Sequence, residues 1–181
     1  MTTNPVVQKA VDLQRWPHAK LLVHTCNQFL QEIRDLTPGP ELEARLNREY
    51  GPGHPYYEDM CKLVKLGLEE GWVASEPLDG PKYRRSRVAT PGPENNYMSI
   101  TTVFFDTNDV YSGQPHSHPY GEINCVIPLN PGAELEGFQG WQGAGWTSPS
   151  AGTCHYPRAR GGAVVALFFL PAGRISYNVD L

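Results

Sequence analysis

The chain has 181 residues, a formal net charge of −4 and 40% hydrophobic residues, enough apolar material for one packed domain, or one domain with a smaller helical appendage. The acidic balance excludes a basic field that would draw the whole chain onto nucleic acid or an anionic membrane, so the expected partner is a small molecule. No run approaches the roughly 18 apolar residues of a membrane span, and the N-terminal MTTNPVVQKAVDLQRW lacks the basic-then-apolar layout of a secretory signal, which together predict a cytoplasmic protein.

In chain order, the first 95 residues read as helical. Pro17 opens a helix at its first position, and Leu22, Cys26, Phe29, Leu30 and Ile33 then recur at three- and four-residue steps down to the break at TPGP. PELEARLNREYG predicts a second, short helix with early acidic residues and Gly51 as its stop. YYEDMCKLVKLGLEEG predicts a third, with Met60, Leu63, Val64 and Leu68 on one side. These stripes suffice to pack the helices on one another and on a later sheet. GWVASEPL, the turn DGP and KYRRSRVA then predict a β-hairpin packing on the β-rich half of the chain. Exposed at Arg84, Arg85 and Arg87, that hairpin would resemble the wing of a winged-helix DNA-binding domain, but acidic and basic residues are nearly balanced over residues 1–95 and give no phosphate-seeking face.

From residue 96 to 181 the text is strand and turn. YMSITTVFFDT, INCVIPL and GGAVVALFFLP are β-rich runs separated by Gly, Pro, Asn and Trp, with no helical period between them. The expected architecture is a mainly β, antiparallel barrel or sandwich carrying the functional site, with the helical segment of residues 1–95 in front of it. The four cysteines, Cys26, Cys61, Cys125 and Cys154, form no C-x-x-C pair and are expected to be reduced thiols. Cys125 and Cys154 stand out for lying within three residues of candidate ligands.

The chemistry concentrates in HSHPYGE. Side chains two apart on a strand share a face, so His116 and His118 point the same way, and Glu122 rejoins that face if the chain stays extended past Pro119, Tyr120 and Gly121. His155, in PSAGTCHYP, is the other histidine of the β-rich half. Two imidazoles and a carboxylate leave coordination positions open on a metal, the arrangement of a reactive rather than a structural site. If the bend turned Glu122 away, it would instead serve as a general base beside three histidines.

HSHPYGE, with PSAGTCH some thirty residues later, resembles the two motifs of the cupin superfamily. That resemblance implies a jelly-roll β-barrel with His116, His118, Glu122 and His155 as ligands. Departures at Gly113, Gly132, Pro149, Gly152 and Ala159 touch turns rather than ligands. The whole layout, with GQPHSHPYGEINCVIPL and GWTSPSAGTCHYPRARGG, is similar to the bacterial 4-hydroxylaminobenzoate lyases, which implies conversion of 4-hydroxylaminobenzoate and water to 3,4-dihydroxybenzoate and ammonia. One divalent transition metal ion, iron, manganese or zinc, is then the expected cofactor, Glu122 and His155 the expected catalytic residues, and a homodimer the expected assembly. An aromatic substrate needs apolar walls, for which Phe104, Tyr120 and Trp146 are the candidates, with Trp141, Phe138 and Tyr156 nearby. Its carboxylate needs a cation, for which Arg158 and Arg160 are expected and Arg84, Arg85 and Arg87 stand as outside candidates. The same ligands would equally support an iron(II) dioxygenase, and a non-catalytic ligand-binding cupin or sensor is the remaining alternative.

Overall fold

The computed structural model describes residues 9–179. Residues 1–8, the start of the stretch that lacks a signal layout, lie outside the described residues. Three helices come first, α1 (Pro17–Glu32), α2 (Pro40–Glu49) and α3 (Pro55–Glu70). Each opens with proline in its first turn, where the missing N–H has no partner to lose. The α1 stripe of Leu22, Cys26, Phe29 and Leu30 is buried, as are Met60, Leu63 and Val64 of α3. The second helix ends at Glu49 with Tyr50 as its cap, two residues before the glycine expected to stop it, whereas Gly71 closes α3 at a φ of 94°.

Twelve strands come next: β1 (Glu76–Asp79), β2 (Tyr83–Ala89), β3 (Met98–Thr107), β4 (Tyr111–Ser112), β5 (His116–His118), β6 (Ile123–Pro128), β7 (Glu134–Gly137), β8 (Gly140–Gln142), β9 (Gly145–Thr147), β10 (Thr153–His155), β11 (Arg158–Arg160) and β12 (Gly162–Pro171). They pair antiparallel into a six-stranded sheet of order β1-β2-β3-β12-β6-β9, a four-stranded sheet β4-β11-β7-β8, and the two-stranded ribbon β10-β5. This is the expected mainly β, antiparallel architecture behind an N-terminal helical segment. The β1–β2 hairpin does not project as a wing. Tyr83 to Arg87 of β2 lie against Phe105 to Thr101 of β3, which leaves Arg84, Arg85 and Arg87 half-buried in the large sheet.

The large sheet is covered on both faces, which explains why its strands read as continuous apolar runs rather than alternating ones. One face packs on the helices through Ile100, Phe104, Ile123, Cys125, Ile127, Val165, Leu167 and Phe169. The other looks into the barrel through Tyr83, Phe105, Val126, Val164 and Ala166. The helical layer also finishes the sheet's edge. Asn47 of α2 accepts from the Trp146 N–H at 2.8 Å and donates to its carbonyl at 2.9 Å, replacing the neighbour that edge strand β9 lacks. The Trp146 ring stacks on Phe29 at 4.8 Å and its Nε1 donates to the Tyr50 carbonyl at 2.9 Å. Next to it, Glu43 accepts from the Ser148 N–H at 3.2 Å, while the Ser148 hydroxyl donates to the Glu122 carbonyl at 2.9 Å. A helix thus steadies the backbone of a residue inside the barrel.

Among the described residues no helix is long and apolar enough to cross a membrane. All four cysteines are free. Cys125 faces the helices, where burial pushes its thiol up, and Cys154 points outward, so neither lies in the barrel interior.

Candidate metal centre

The ribbon β10-β5 aligns the histidines by register. His155 lies directly opposite His116, and Thr153 opposite His118. Alternation sends His116 and His118 to one side of β5, and cross-strand pairing brings His155 to the same side. The result is three Nε2 atoms at one point: His116 to His118 is 3.0 Å and His116 to His155 is 3.2 Å. His116 and His118 are buried, and His155 is half-buried beneath the ring of Phe138, which stacks on it at 5.3 Å.

The opposite ring nitrogens fix which tautomer is present. Nδ1 of His116 sits 2.9 Å from the Gln114 carbonyl, which can only accept. The Thr153 hydroxyl gives its proton to the Ser150 carbonyl at 2.7 Å, so it accepts from Nδ1 of His118 at 3.0 Å. Both Nδ1 atoms therefore carry the proton, and both Nε2 atoms present lone pairs to each other. Two lone pairs at that distance repel unless a cation lies between them. Burial lowers all three imidazoles from 6.5, His118 to about 3 and His155 to about 4, with repulsion from neighbouring histidines adding to it for those two and from Arg85 for His116, which makes a shared proton a poor cation for the site. The donor set fits a divalent metal ion, and the partners behind the rings are those that orient metal-binding histidines.

Glu122 returns to this point through a tight turn. Gly121 adopts a φ of 83°, and a Cβ there would meet Pro38 at 2.6 Å and the Pro149 carbonyl at 2.9 Å, so both backbone and space require glycine. The Glu122 N–H donates to the Pro149 carbonyl at 3.0 Å. Its Oε2 lies 3.6 Å from Nε2 of His118, and its Oε1 accepts from Asn124 at 2.7 Å, an amide also held on the Thr147 hydroxyl at 3.0 Å. Burial raises the Glu122 carboxyl to about 7, against the opposing pull of Asn124.

A cavity opens beside these groups and is lined by His116, Glu122, Asn124 and His155 among others. Val103, Phe105, Leu135, Ala166, Phe168 and Ile175 give it apolar walls, and Tyr83, Arg85, Glu136, Thr147 and Tyr177 add polar groups to the lining. The tail after β12 closes it: Ser176 exchanges backbone hydrogen bonds of 2.8 and 3.0 Å with Ser117, which turns Ile175 and Tyr177 inward on either side.

The structure brings His116, His118 and His155 into one cluster and sets Glu122 beside His118, outside that cluster. It does not bring the five residues expected to bind substrate into the wall. Phe104 points to the helices, under the Arg84 guanidinium at 4.2 Å, and its neighbour Phe105 faces the cavity instead. Trp146 is wholly buried between sheet and helices, and Tyr120 is exposed on the turn. Arg158 and Arg160 lie on the outer, four-stranded sheet, engaged with Glu136 and Glu134 and packed on Trp141 at 5.6 and 4.0 Å. No sequence motif marks Asn124 or Tyr177, and Arg85 is marked only as one of three outside candidates. The parity of β2 is the available signal, because Arg85 shares a face with Tyr83; the tail around Tyr177 carries no strand pattern at all.

Known proteins resemble this chain in sequence. A family profile described as "PnbB: 4-hydroxylaminobenzoate lyase" matches residues 24–177. A protein of Nocardioides sp. (strain LMS-CY) named 4-hydroxylaminobenzoate lyase is 54% identical over 158 residues, covering 87% of this chain and 94% of that one. A protein of Pseudomonas putida with the same name is 47% identical over 165 residues, with the same coverage of 87% and 94%. Among solved structures, the DMSP lyase DddQ from Ruegeria pomeroyi DSS-3 aligns at a TM-score of 0.39 with 14% identity, over 85% of this chain and 91% of that one.

Proposed function

The chain belongs to the 4-hydroxylaminobenzoate lyase family, and from that premise we propose that its three-histidine centre and adjoining cavity convert 4-hydroxylaminobenzoate and water to 3,4-dihydroxybenzoate and ammonia. The observation that carries the proposal is the convergence of three Nε2 atoms on one point in the wall of a mostly apolar cavity. The reaction needs no external electrons: the nitrogen is reduced as its N–O bond breaks, and the ring supplies the same electron pair as it gains oxygen.

His116, His118 and His155 would hold the ion, with Glu122 as the fourth group beside them. A divalent iron, manganese or zinc ion held there supplies Lewis acidity toward the hydroxylamino oxygen and lowers the pKa of a bound water. Glu122 takes and returns a proton as water adds and ammonia leaves. Asn124 keeps one carboxyl oxygen occupied, so that the other faces the site. Phe105, Phe168 and Leu135 exclude bulk water from the ring and pack its faces.

His118→Ala is the direct test. The variant is expected to lose bound metal by elemental analysis and to lose about a thousandfold or more in turnover of 4-hydroxylaminobenzoate. The parent protein is expected to release ammonia under strict exclusion of oxygen. Oxygen consumption in step with product would replace this reading with a dioxygenase.

A further inference from the structure

We propose that Arg85, assisted by Tyr177, is the anchor for the substrate's carboxylate and so selects para-substituted benzoates over neutral arylhydroxylamines. This rests on the reaction assigned above and names the part of the site that reads the non-reacting end of the substrate.

Parity sets the position. Tyr83 and Arg85 are two apart on β2 and oppose Phe105 and Val103 of β3, and all four line the cavity. Arg84 is turned by the same alternation to the helical face. Among the described residues lining the cavity, Arg85 is the single lysine or arginine, set in walls that are otherwise largely apolar. A benzoate entering this cavity meets one guanidinium. Arg158 and Arg160 are not among the residues that line it.

Tyr177 ties the anchor to the metal-binding end. Nη1 of Arg85 donates to the Tyr177 hydroxyl, and the guanidinium lies over the Tyr177 ring at 5.6 Å. On its other flank the Tyr177 ring meets that of His116 edge-on at 5.9 Å. Arg85 and His116 thus flank one aromatic ring, which sets the guanidinium and the metal-binding end on the same cavity. Because the Tyr177 oxygen accepts from Arg85, its own proton is left to donate, so a carboxylate here receives hydrogen bonds from the guanidinium and from the phenol together. With the carboxylate at Arg85, the para nitrogen is directed toward the histidines on the other flank of Tyr177.

Binding of two unreactive probes, 4-aminobenzoate and aniline, to the metal-loaded full chain separates this from a structural role. Calorimetry is expected to show that Arg85→Gln weakens 4-aminobenzoate about thirtyfold or more and leaves aniline and the metal content unchanged. Arg85→Lys, which keeps the charge without the fork, should lie between, and Tyr177→Phe should lose several-fold for 4-aminobenzoate alone. These two milder variants carry the test if Arg85→Gln does not fold. A parent protein that does not prefer 4-aminobenzoate to aniline overturns the proposal, as does an Arg85→Gln variant that keeps the preference or an Arg85→Lys variant that keeps it undiminished. If 4-aminobenzoate binds through Arg85 but 4-hydroxylaminobenzoate is not turned over, the reaction assignment fails and the anchor stands.

Discussion

At the scale of single residues, the behaviour of the metal-free site in acid is set by how its groups are buried. The unfolded chain protonates its histidines near 6.5, whereas the folded His118 and His155 do so only near 3 and 4. Between those values the unfolded state binds more protons, so this stabilisation is complete above 6.5 and is lost as pH falls. Glu122 acts in the opposite sense, taking up a proton in the folded state at about 7 and in the unfolded state only at 4.5. The imidazoles outnumber the carboxyl. The melting temperature of the chelated protein is therefore expected to fall gently from pH 6.5 to 4.5 and more steeply below 4.5, where Glu122 no longer compensates. Thermal melts across this range check it; a flat profile would contradict the burial of the three rings. His116 and His118 are legible in the sequence because their spacing of two fixes a shared face on any strand. Phe104 is misread because FF in a doubly covered sheet has no visible parity: two adjacent aromatics face opposite layers, and a one-residue error exchanges them.

At the scale of elements, the union of α2 with β9 bears most directly on the barrel. Asn47 satisfies both backbone groups of Trp146 at the open edge of the large sheet. Asn47→Leu keeps the volume but strips an N–H and a carbonyl of their partners, and each such loss costs about 1–3 kcal/mol. The expected outcome is a drop of several degrees in melting temperature with metal content retained, read by calorimetric melts of both proteins. The helices themselves are plain from their apolar stripes and proline starts. Their attachment is not, since a polar Asn on a helix gives no hint that it completes a strand. The hairpin is visible as a turn between two β-prone runs, but its partner is not, because pairing β2 with β3 depends on contacts distant in sequence.

At the scale of the whole molecule, the metal centre draws on residues 116 to 155, while the large sheet and the helices hold the frame around it. An ion that binds the folded state alone stabilises the entire domain by mass action, by about 2.7 kcal/mol at a hundred times its dissociation constant. Adding divalent iron, manganese or zinc to the chelated protein is thus expected to raise its melting temperature in a concentration-dependent way. His118→Ala should abolish the rise, a comparison that scanning fluorimetry can make for each metal in turn. The barrel as a class is readable from composition after residue 95. The cavity is not, since its walls come from β2, β3, β7, β12 and the tail, and no single stretch announces them. The residues assigned to the ion occupy one continuous stretch of the chain, whereas Arg85 and Tyr177 reach the cavity from segments on either side of it. Catalytic capacity and substrate choice are thereby encoded apart, so descendants of this scaffold can acquire a taste for other aromatic acids by drift in the hairpin or the tail, with the reactive machinery inherited intact.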